Sequence, residues 1–208
     1  MMGPIGPRPA AQRGGHRMLV ARRTGFLLRS VTGAALGLAL LAGSEAAAQS
    51  TVEFTVSGTS TVRGWTCSVS GTADVASGSS APAPGFDSGV QSATLTVQVA
   101  DFECPDETMT EHLQEAMKPE EFAEITFELE SYEASGAGAQ ASGALTIHDV
   151  TTPVTFPISL TPAASGVEIA GEVTLDMTTY GVEPPVVMLG LLRVRPEIRI
   201  EFSGLVVP

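Results

Sequence analysis

The feature of this sequence that most constrains its fold is a two-residue period of apolar side chains. In Ile125 to Leu129 (ITFEL), for example, every second residue is apolar and the residues between are polar. Successive side chains of a β-strand point to opposite faces, so such a segment predicts a strand with one buried and one wet face. Eight such segments follow one another, over residues 52–56, 65–75, 95–99, 125–129, 143–147, 154–160, 167–177 and 198–202. The chain is therefore predicted to be all-β and antiparallel.

The sixth segment contains two prolines, Pro153 and Pro157, both on its outward phase. Proline has no N–H to donate to a neighbouring strand, so within sheets it is confined to edges, bulges and weakly paired seams. We therefore expect this strand to lie at one of these.

One helix interrupts the alternation. Thr108 and Glu111 have the spacing of a capping box, and Pro119 ends the helical pattern. The apolar residues between them recur at helical spacing and form one stripe, namely Met109, Leu113, Ala116 and Met117. We expect the helix to lie across an end or a side of the sheet. The stripe is predicted to belong to the core, and ligand contact by its methionines is the alternative.

A second irregular stretch runs over residues 178–193. Pro184 and Pro185 precede a dense apolar run that fits no alternating strand (VVMLGLL, residues 186–192). Such a run is typical either of a loop that plugs one mouth of the sheet or of a lid over a lipophilic cavity. The sequence leaves both interpretations open.

The N-terminal 48 residues have the pattern of a secretory signal peptide. Arginines at 22, 23 and 29 precede 15 uncharged residues (30–44), which end near the small-residue site Ala46-Ala47-Ala48. About 20 apolar residues are needed to span a bilayer, so a retained anchor is disfavoured. We predict cleavage after Ala48, a domain over residues 49–208 and a periplasmic or secreted location. Arg22-Arg23 leaves ordinary and twin-arginine export open, and Met18 is an alternative start to Met1.

The predicted domain is strongly acidic. Of the 11 basic residues six lie in the first 48 positions, and of the 23 acidic residues one does. The remaining 160 residues therefore carry 5 basic and 22 acidic side chains, a net charge of −17. Such a body repels phosphate backbones and anionic bilayers, so we expect no nucleic-acid partner and no stable membrane insertion.

Both cysteines, Cys67 and Cys104, lie in the predicted exported part. In an oxidising compartment two cysteines pair more often than not, so we predict a disulfide between them. Two buried, unpaired thiols are the alternative.

The sequence contains few signals of catalysis. It lacks the motifs G-x-S-x-G, H-E-x-x-H and C-x-x-C beyond residue 48, and its two histidines there, His112 and His148, fit a solvated helix face and a turn. We therefore predict no catalytic residue, no metal site and no cofactor. A lipid-modifying enzyme stays as a minor hypothesis, which would require an inward-facing histidine or carboxylate.

Four segments resemble one known family. They are FTVSGTSTVRGWTCSVSG (54–71), MTEHLQEAMKPEEFAEITFEL (109–129), SGALTIHDVTTPVTFPISL (142–160) and the closing stretch 177–207. Together they resemble the YceI-like family of bacterial periplasmic polyisoprenoid-binding proteins. The resemblance implies a lipocalin-like antiparallel barrel of eight strands whose interior holds a long isoprenoid or fatty chain. One departure is Asp149, at a turn where the family often has glycine.

Pattern and resemblance together predict non-enzymatic binding, carriage or sequestration of an isoprenoid (quinone-like) or fatty-acyl lipid. The inward aromatic and branched residues, with two residues of the predicted lid, are the candidates to line the lipid chain: Phe54, Trp65, Phe127, Leu129, Ile147, Phe156, Ile158, Leu175, Met177, Met188, Leu189 and Ile200. The alternative is a barrel with a solid core that acts as a stress-related adaptor. A second copy of the chain remains among the partners that the sequence allows.

Overall fold

The computed structural model describes residues 50–78 and 81–207, so the predicted signal peptide and its cleavage site lie outside the described residues. The described chain forms nine strands and one α-helix. The strands are β1 (Ser50–Ser60), β2 (Gly64–Ser77), β3 (Val90–Gln98), β4 (Glu124–Ser135), β5 (Gly138–Ile147), β6 (Val150–Ala163), β7 (Gly166–Asp176), β8 (Val186–Val187) and β9 (Leu192–Val206). The helix, α1 (Glu107–Met117), lies between β3 and β4.

Eight of the strands close into a barrel. Each of β1 to β6 pairs antiparallel with the next strand, β7 pairs with β9, and β9 returns to pair with β1. At the closing seam Phe54 of β1 lies opposite Phe202 of β9. The two-residue β8 adds to β9 only, beside the barrel. The predicted fold class, an eight-stranded antiparallel barrel with one helix between strands, is confirmed.

The two ends of the barrel are built differently. At one, which we call the helix end, lie the β1–β2 turn, α1, the β5–β6 turn and the segment from Met177 to Leu191. At the other, which we call the loop end, lie the β2–β3 connection, the β4–β5 and β6–β7 turns and the start of β1. An up-and-down meander requires this arrangement, since consecutive connections alternate between the ends.

The loop end is packed solid. Ala83 and Phe86 of the β2–β3 connection bond to each other through their backbones and are both buried. The Tyr132 hydroxyl donates a hydrogen bond to the Ala81 carbonyl. It also accepts a hydrogen bond of 2.9 Å from the Val90 amide. The barrel side chains buried at this end are Val52, Ala73, Ala139, Ala141, Leu160, Val167, Ile169 and Val206.

One seam of the barrel is incomplete, as the prolines predicted. Strand β6 pairs with β5 along most of its length, but its pairing with β7 runs only from Ile158 to Ala163. Pro153 and Pro157 lie on the part of β6 outside that pairing. A short 3₁₀ helix, Met177–Tyr180, packs against β6 at this level of the barrel and buries the Tyr180 ring.

The N-cap of helix α1 lies two residues before the predicted cap. The N-cap is Asp106, whose carboxylate accepts a hydrogen bond from the Met109 amide at 2.9 Å, so the expected cap at Thr108 was wrong. Asp106 can do this because it is extended and an aspartate is among the best N-cap residues. Lys118, in the left-handed region, ends the helix. Within the described residues, none of the helices is long and apolar enough to cross a bilayer.

The β5–β6 turn holds a histidine that we expected in solvent. His148 and Asp149 both adopt positive φ, of 50° and 57°, which is the backbone of a tight two-residue hairpin. The imidazole of His148 is nonetheless buried, stacked on Phe122 with ring centroids 4.3 Å apart. Its Nε2 lies 2.9 Å from the Met117 carbonyl. His148 therefore attaches the C-terminal end of α1 to the barrel, a tertiary contact that the local sequence does not reveal.

Candidate functional site

A cavity of about 660 Å³ occupies the helix-end half of the barrel. Sites that bind small molecules span about 300–1,000 Å³, so the space suits a sizeable ligand. Its lining is made almost entirely of apolar side chains from the strands, from α1 and from the segment after β7. The alternating pattern explains this chemistry, because most inward positions of the strands carry an apolar residue.

Four phenylalanines form the floor of the cavity, where the hollow half of the barrel meets the filled half. Phe156 is 5.3 Å from Phe127 and 5.6 Å from Phe202 between ring centroids, and Phe202 is 6.2 Å from Phe54. The pairs are tilted or edge-on, which is the favourable geometry for aromatic rings. The cluster makes the cavity a blind pocket rather than a tunnel through the barrel.

Helix α1 covers part of the cavity. All four residues of its apolar stripe, Met109, Leu113, Ala116 and Met117, line the space. None of the helix's residues is fully buried. The stripe therefore packs against the core, as expected, and also faces the cavity, while ligand contact by its methionines stays a prediction.

Polar side chains border the cavity at its mouth: Ser60, Arg63, Asp106, Thr108 and His112. Arg63 and Asp106 are both exposed, with Nη2 and Oδ2 3.9 Å apart. The site thus combines an apolar interior with a polar, wet rim. An amphiphile with a long apolar chain and a polar head has the complementary distribution of chemistry.

Trp65 stands in the cavity wall near the mouth. Its indole packs over Gly58, so closely that a Cβ at that glycine would lie 2.6 Å from the Trp65 Cζ2 atom. Glycine at 58 is therefore what allows the ring to lie flat on β1. The indole Nε1 is buried and has no hydrogen-bond partner among the described residues.

Tyr180 gives the wall a second amphipathic ring. Burial raises the pKa of its phenol above the ordinary 10.0, and a hydrogen bond with the Thr152 side chain partly offsets that rise. Tyr180 is therefore a neutral phenol at physiological pH. It borders the cavity beside the incomplete seam between β6 and β7.

Cys67 and Cys104 form a disulfide, with Sγ atoms 1.99 Å apart. Next to it, the Ser68 and Glu103 backbones exchange two hydrogen bonds, of 2.7 and 2.9 Å. These bonds hold the segment that leads into α1 against β2. Since Cys67 also lines the cavity, the disulfide fastens the cover at its N-terminal end while His148 contacts its C-terminal end.

The sequence matches the YceI-like domain over residues 45–205. The chain belongs to the YceI-like family. None of the curated proteins matches the chain.

Solved structures with the same fold share little sequence with this YceI-like protein. BcnA of Burkholderia cenocepacia superposes with a TM-score of 0.61 at 18% identity, over 76% of this chain and 96% of its own. The YCEI protein of Campylobacter jejuni gives 0.52 at 16% identity, over 64% and 78%. A polyisoprenoid binding domain from Saccharophagus degradans, implicated in plant cell wall breakdown, gives 0.51 at 12% identity, over 74% and 91%. At these identities the likeness establishes the fold alone.

Nine of the twelve residues that the sequence predicted to line the ligand border the cavity of the YceI-like barrel. They are Phe54, Trp65, Phe127, Ile147, Phe156, Leu175, Met177, Met188 and Ile200. Leu129 and Ile158 have the correct inward phase but do not line the cavity. Both are half-buried against the core, because alternation specifies the face of a strand and not the depth along the barrel.

Leu189, one of the two predicted lid residues, does not border the cavity. It is fully exposed and lies outside the cavity lining, because it sits at the tip of the hairpin between β8 and β9 with positive φ. The segment after β7 is divided: Val182, Pro185, Val187, Met188 and Leu192 line the cavity, and other residues face solvent. It thus combines features of both the plug and the lid.

The sequence analysis missed the polar rim and Tyr180. No local pattern marks these residues, since they come from three separate connections that only the closed barrel brings together. Among the described residues, no group of three or more His, Cys, Asp or Glu side chains is arranged to hold a metal ion.

Proposed function

We propose that this YceI-like protein binds an amphiphilic isoprenoid or acyl lipid without chemical conversion, and carries or sequesters it in the periplasm. The observation that supports this best is the blind, largely apolar cavity of about 660 Å³, whose ionisable side chains Arg63, Asp106 and His112 lie at its mouth. The apolar chain would lie against the phenylalanine floor and the barrel wall. The head group would stay near Arg63, Asp106 and His112.

The energetics of chain burial support a lipid of this kind. Each CH₂ transferred from water into an apolar site contributes about 0.8 kcal/mol. A chain of about 10–15 enclosed carbons would supply roughly 8–12 kcal/mol before the ordering costs of binding are subtracted. That range allows stable carriage, and the cavity needs no directional contact to hold the chain.

Similarity to a solved structure gives weaker support for the proposed lipid ligand. The solved domain from Saccharophagus degradans is a polyisoprenoid binding domain with the same fold. At 12% identity it leaves the identity of the lipid open, so we propose the class of ligand and not a particular compound.

The periplasmic or secreted location rests on the signal-peptide pattern of residues 1–48 and agrees with the Cys67–Cys104 disulfide. Disulfides persist in oxidising compartments and are rare in the reducing cytosol. Mass spectrometry of the protein recovered from its host tests the location. An N-terminus at Gln49 in the periplasmic fraction is expected, and an uncleaved cytosolic chain would contradict the proposal.

The solid-core alternative describes only one half of the molecule. The loop-end half has the dense packing that an adaptor barrel would show throughout, whereas the helix-end half is hollow. A hollow half is costly to maintain unless something fills it, since an interior normally packs to crystal-like density. This observation favours a carrier over a solid adaptor.

Ligand titration followed by Trp65 fluorescence tests the proposal. Trp65 is the single tryptophan and lines the cavity, so its emission reports directly on occupancy. Quinones, carotenoid precursors and fatty acids are titrated into the wild type, into Ala116→Trp, which fills the cavity from α1, and into Ala137→Trp as the matched control. Ala137 is exposed at the loop end. Because each variant adds a second indole, tritiated ligand retained on a filter measures binding alongside fluorescence.

We expect saturable binding of at least one of these lipids to the wild type and to Ala137→Trp. In Ala116→Trp affinity should fall more than tenfold, because the indole occupies space that the chain needs. Equal binding by both variants would place the ligand outside the cavity. Failure of every lipid to bind the wild type would count against the carrier.

A further inference from the structure

The mouth of the cavity carries an exposed apolar tip. Strands β8 and β9 form a short hairpin, with Val186 opposite Arg193 and Val187 opposite Leu192. At its end Met188 is 70% exposed, Leu191 is 76% exposed and Leu189 is fully exposed. Single exposed apolar residues are ordinary on protein surfaces, but three within four positions at a hairpin end are a contiguous patch.

The β1–β2 turn enlarges this tip. The Thr61 hydroxyl donates to the Leu191 carbonyl at 2.9 Å, and the Arg193 amide donates back to that hydroxyl at 3.1 Å. Val62, next to Thr61 in the chain, is 67% exposed. We call residues 60–64 and 186–195 together the mouth tip.

The mouth tip has the opposite charge to the rest of the domain. It holds three cations, Arg63, Arg193 and Arg195, and no carboxylate. Beyond residue 48 the whole chain has only 5 basic residues against 22 acidic ones. The carboxylates that flank the tip are Asp106, 3.9 Å from Arg63, Glu183, three positions before the hairpin, and Glu197, two positions after Arg195.

From this arrangement we propose that the mouth tip is a docking surface for an anionic lipid bilayer. Met188, Leu189 and Leu191 would enter the boundary between head groups and acyl chains, and the arginines would meet lipid phosphates. The contact is peripheral and transient, which is compatible with an acidic body that resists stable insertion. At physiological ionic strength the Debye length is about 8 Å, so carboxylates on the far walls are largely screened from the surface.

This proposal goes beyond lipid binding, because it names the source of the lipid, a bilayer, and the surface of the protein that contacts it. Met188 belongs to both surfaces: it is exposed at the tip and also lines the cavity. A bilayer held by the tip therefore lies at the cavity mouth, and a lipid could enter without crossing bulk water.

A protein partner fits the tip less well than a bilayer does. Stable protein–protein interfaces use about 20–30 residues on each side. The tip offers five exposed apolar side chains on a narrow projection: Val62, Val186, Met188, Leu189 and Leu191. A projection of this shape inserts into a soft interface, whereas a flat and larger patch is typical of a docking site for a folded partner.

Co-sedimentation with vesicles tests the proposal. Vesicles of phosphatidylglycerol mixed with phosphatidylcholine are compared with vesicles of phosphatidylcholine alone. Residues 1–48 carry six arginines of their own, so every comparison is between chains with identical N-termini. The variants are Leu189→Ser and Arg193→Gln/Arg195→Gln at the tip.

Two controls match these changes elsewhere on the barrel. Leu205→Ser removes a partly exposed leucine at the loop end, on the opposite side of the molecule. Arg199→Gln removes one positive charge from the barrel wall, where Arg199 already pairs with Glu172 and with Glu201 at 3.0 Å. Neither touches the tip or the cavity mouth.

We expect the wild type to bind the anionic vesicles. Leu189→Ser should weaken the partition coefficient about tenfold on both kinds of vesicle, because it removes buried apolar surface. Arg193→Gln/Arg195→Gln should lower the partition coefficient about fivefold for each charge removed, and only on anionic vesicles. Raising the salt concentration should likewise weaken the binding of the wild type to anionic vesicles. Leu205→Ser should leave the partition coefficient unchanged, and Arg199→Gln should change it much less.

Three results would overturn the proposal. They are no vesicle binding by the wild type, tip variants that bind as the wild type does, and control variants that lose as much binding as the tip variants. Sedimentation velocity without vesicles tests whether a second copy of the chain occupies the tip instead. A wild type that dimerises and binds no vesicles, with a dimer that Leu189→Ser dissociates, would assign the tip to that second copy. Trp65 fluorescence measures loading separately, so docking can fail while lipid binding stands.

Discussion

The loop-end and helix-end halves of this barrel arise from the same alternating pattern and yet differ in their interiors. At the loop end, small alanines such as Ala139 and Ala141 bring the walls together, and Phe86 from the β2–β3 connection fills what remains. At the helix end, the connections line the space without filling it, and a helix without fully buried residues lies over it. The difference teaches that strand periodicity determines a closed wall, while the connections decide whether the inside is full.

The largest expected contrast between the halves is in stability. Leu160→Ala at the loop end leaves a void in dense packing and should cost about 2–5 kcal/mol of unfolding free energy. Leu113→Ala, the same change on α1, borders existing space and should cost about 1 kcal/mol. Urea unfolding of the two variants measures both. Equal losses would show that the helix-end half is as tightly packed as the other.

Reduction of the Cys67–Cys104 disulfide should act mainly on the helix end. The bond closes a loop with a sequence separation of 37 and fastens the segment before α1, so its loss should cost about 2–4 kcal/mol. Hydrogen exchange of the Cys67→Ser/Cys104→Ser variant should accelerate at α1 more than at β7. Uniform acceleration across both halves would mean that the bond stabilises the whole barrel and not its cover.

Substitution of one glycine in each half gives a further test of the difference in packing. A Cβ at Gly204, in the filled half, would lie 2.5 Å from the Thr51 backbone oxygen, and an overpacked site of this kind costs about 1–3 kcal/mol. A Cβ at Gly58 would instead meet the Trp65 ring, which has the cavity beside it and can move. Gly204→Ala should therefore be the more destabilising in urea. Gly58→Ala should change Trp65 emission, and unchanged emission would show that the ring is fixed by something else.

The smallest expected effect is a dependence on alkaline pH. The folded pKa of Tyr180 lies above the unfolded value of 10.0, because burial disfavours the anion. Its contribution to stability is therefore complete below pH 10.0 and is lost as the pH rises through the folded pKa. Urea midpoints of the wild type should fall above that pH by more than those of Tyr180→Phe. Parallel curves would contradict the assignment.

The sequence predicts the wall of this molecule well and the space inside it poorly. Alternation located all eight barrel strands, and Pro153 and Pro157 marked the incomplete seam, because both signals are local. The cap at Asp106 is local, since its carboxylate bonds to the Met109 amide three residues on, but the Thr108–Glu111 spacing gave a competing signal. The exposed position of Leu189 and the burial of His148 against Phe122 depend on how connections fold over the barrel. Leu129 and Ile158 show the same limit, since residues of the same phase can line a cavity or lie in packed core.

Native mass spectrometry of the protein purified from its own host, followed by organic extraction, tests the central claim most directly. A cavity that encloses an apolar chain predicts one lipid per chain in the wild type and in Ala137→Trp, and none in Ala116→Trp. A bare polypeptide mass for all three proteins, with no lipid in the extracts, would contradict the claim that the hollow half of the barrel is a carrier site.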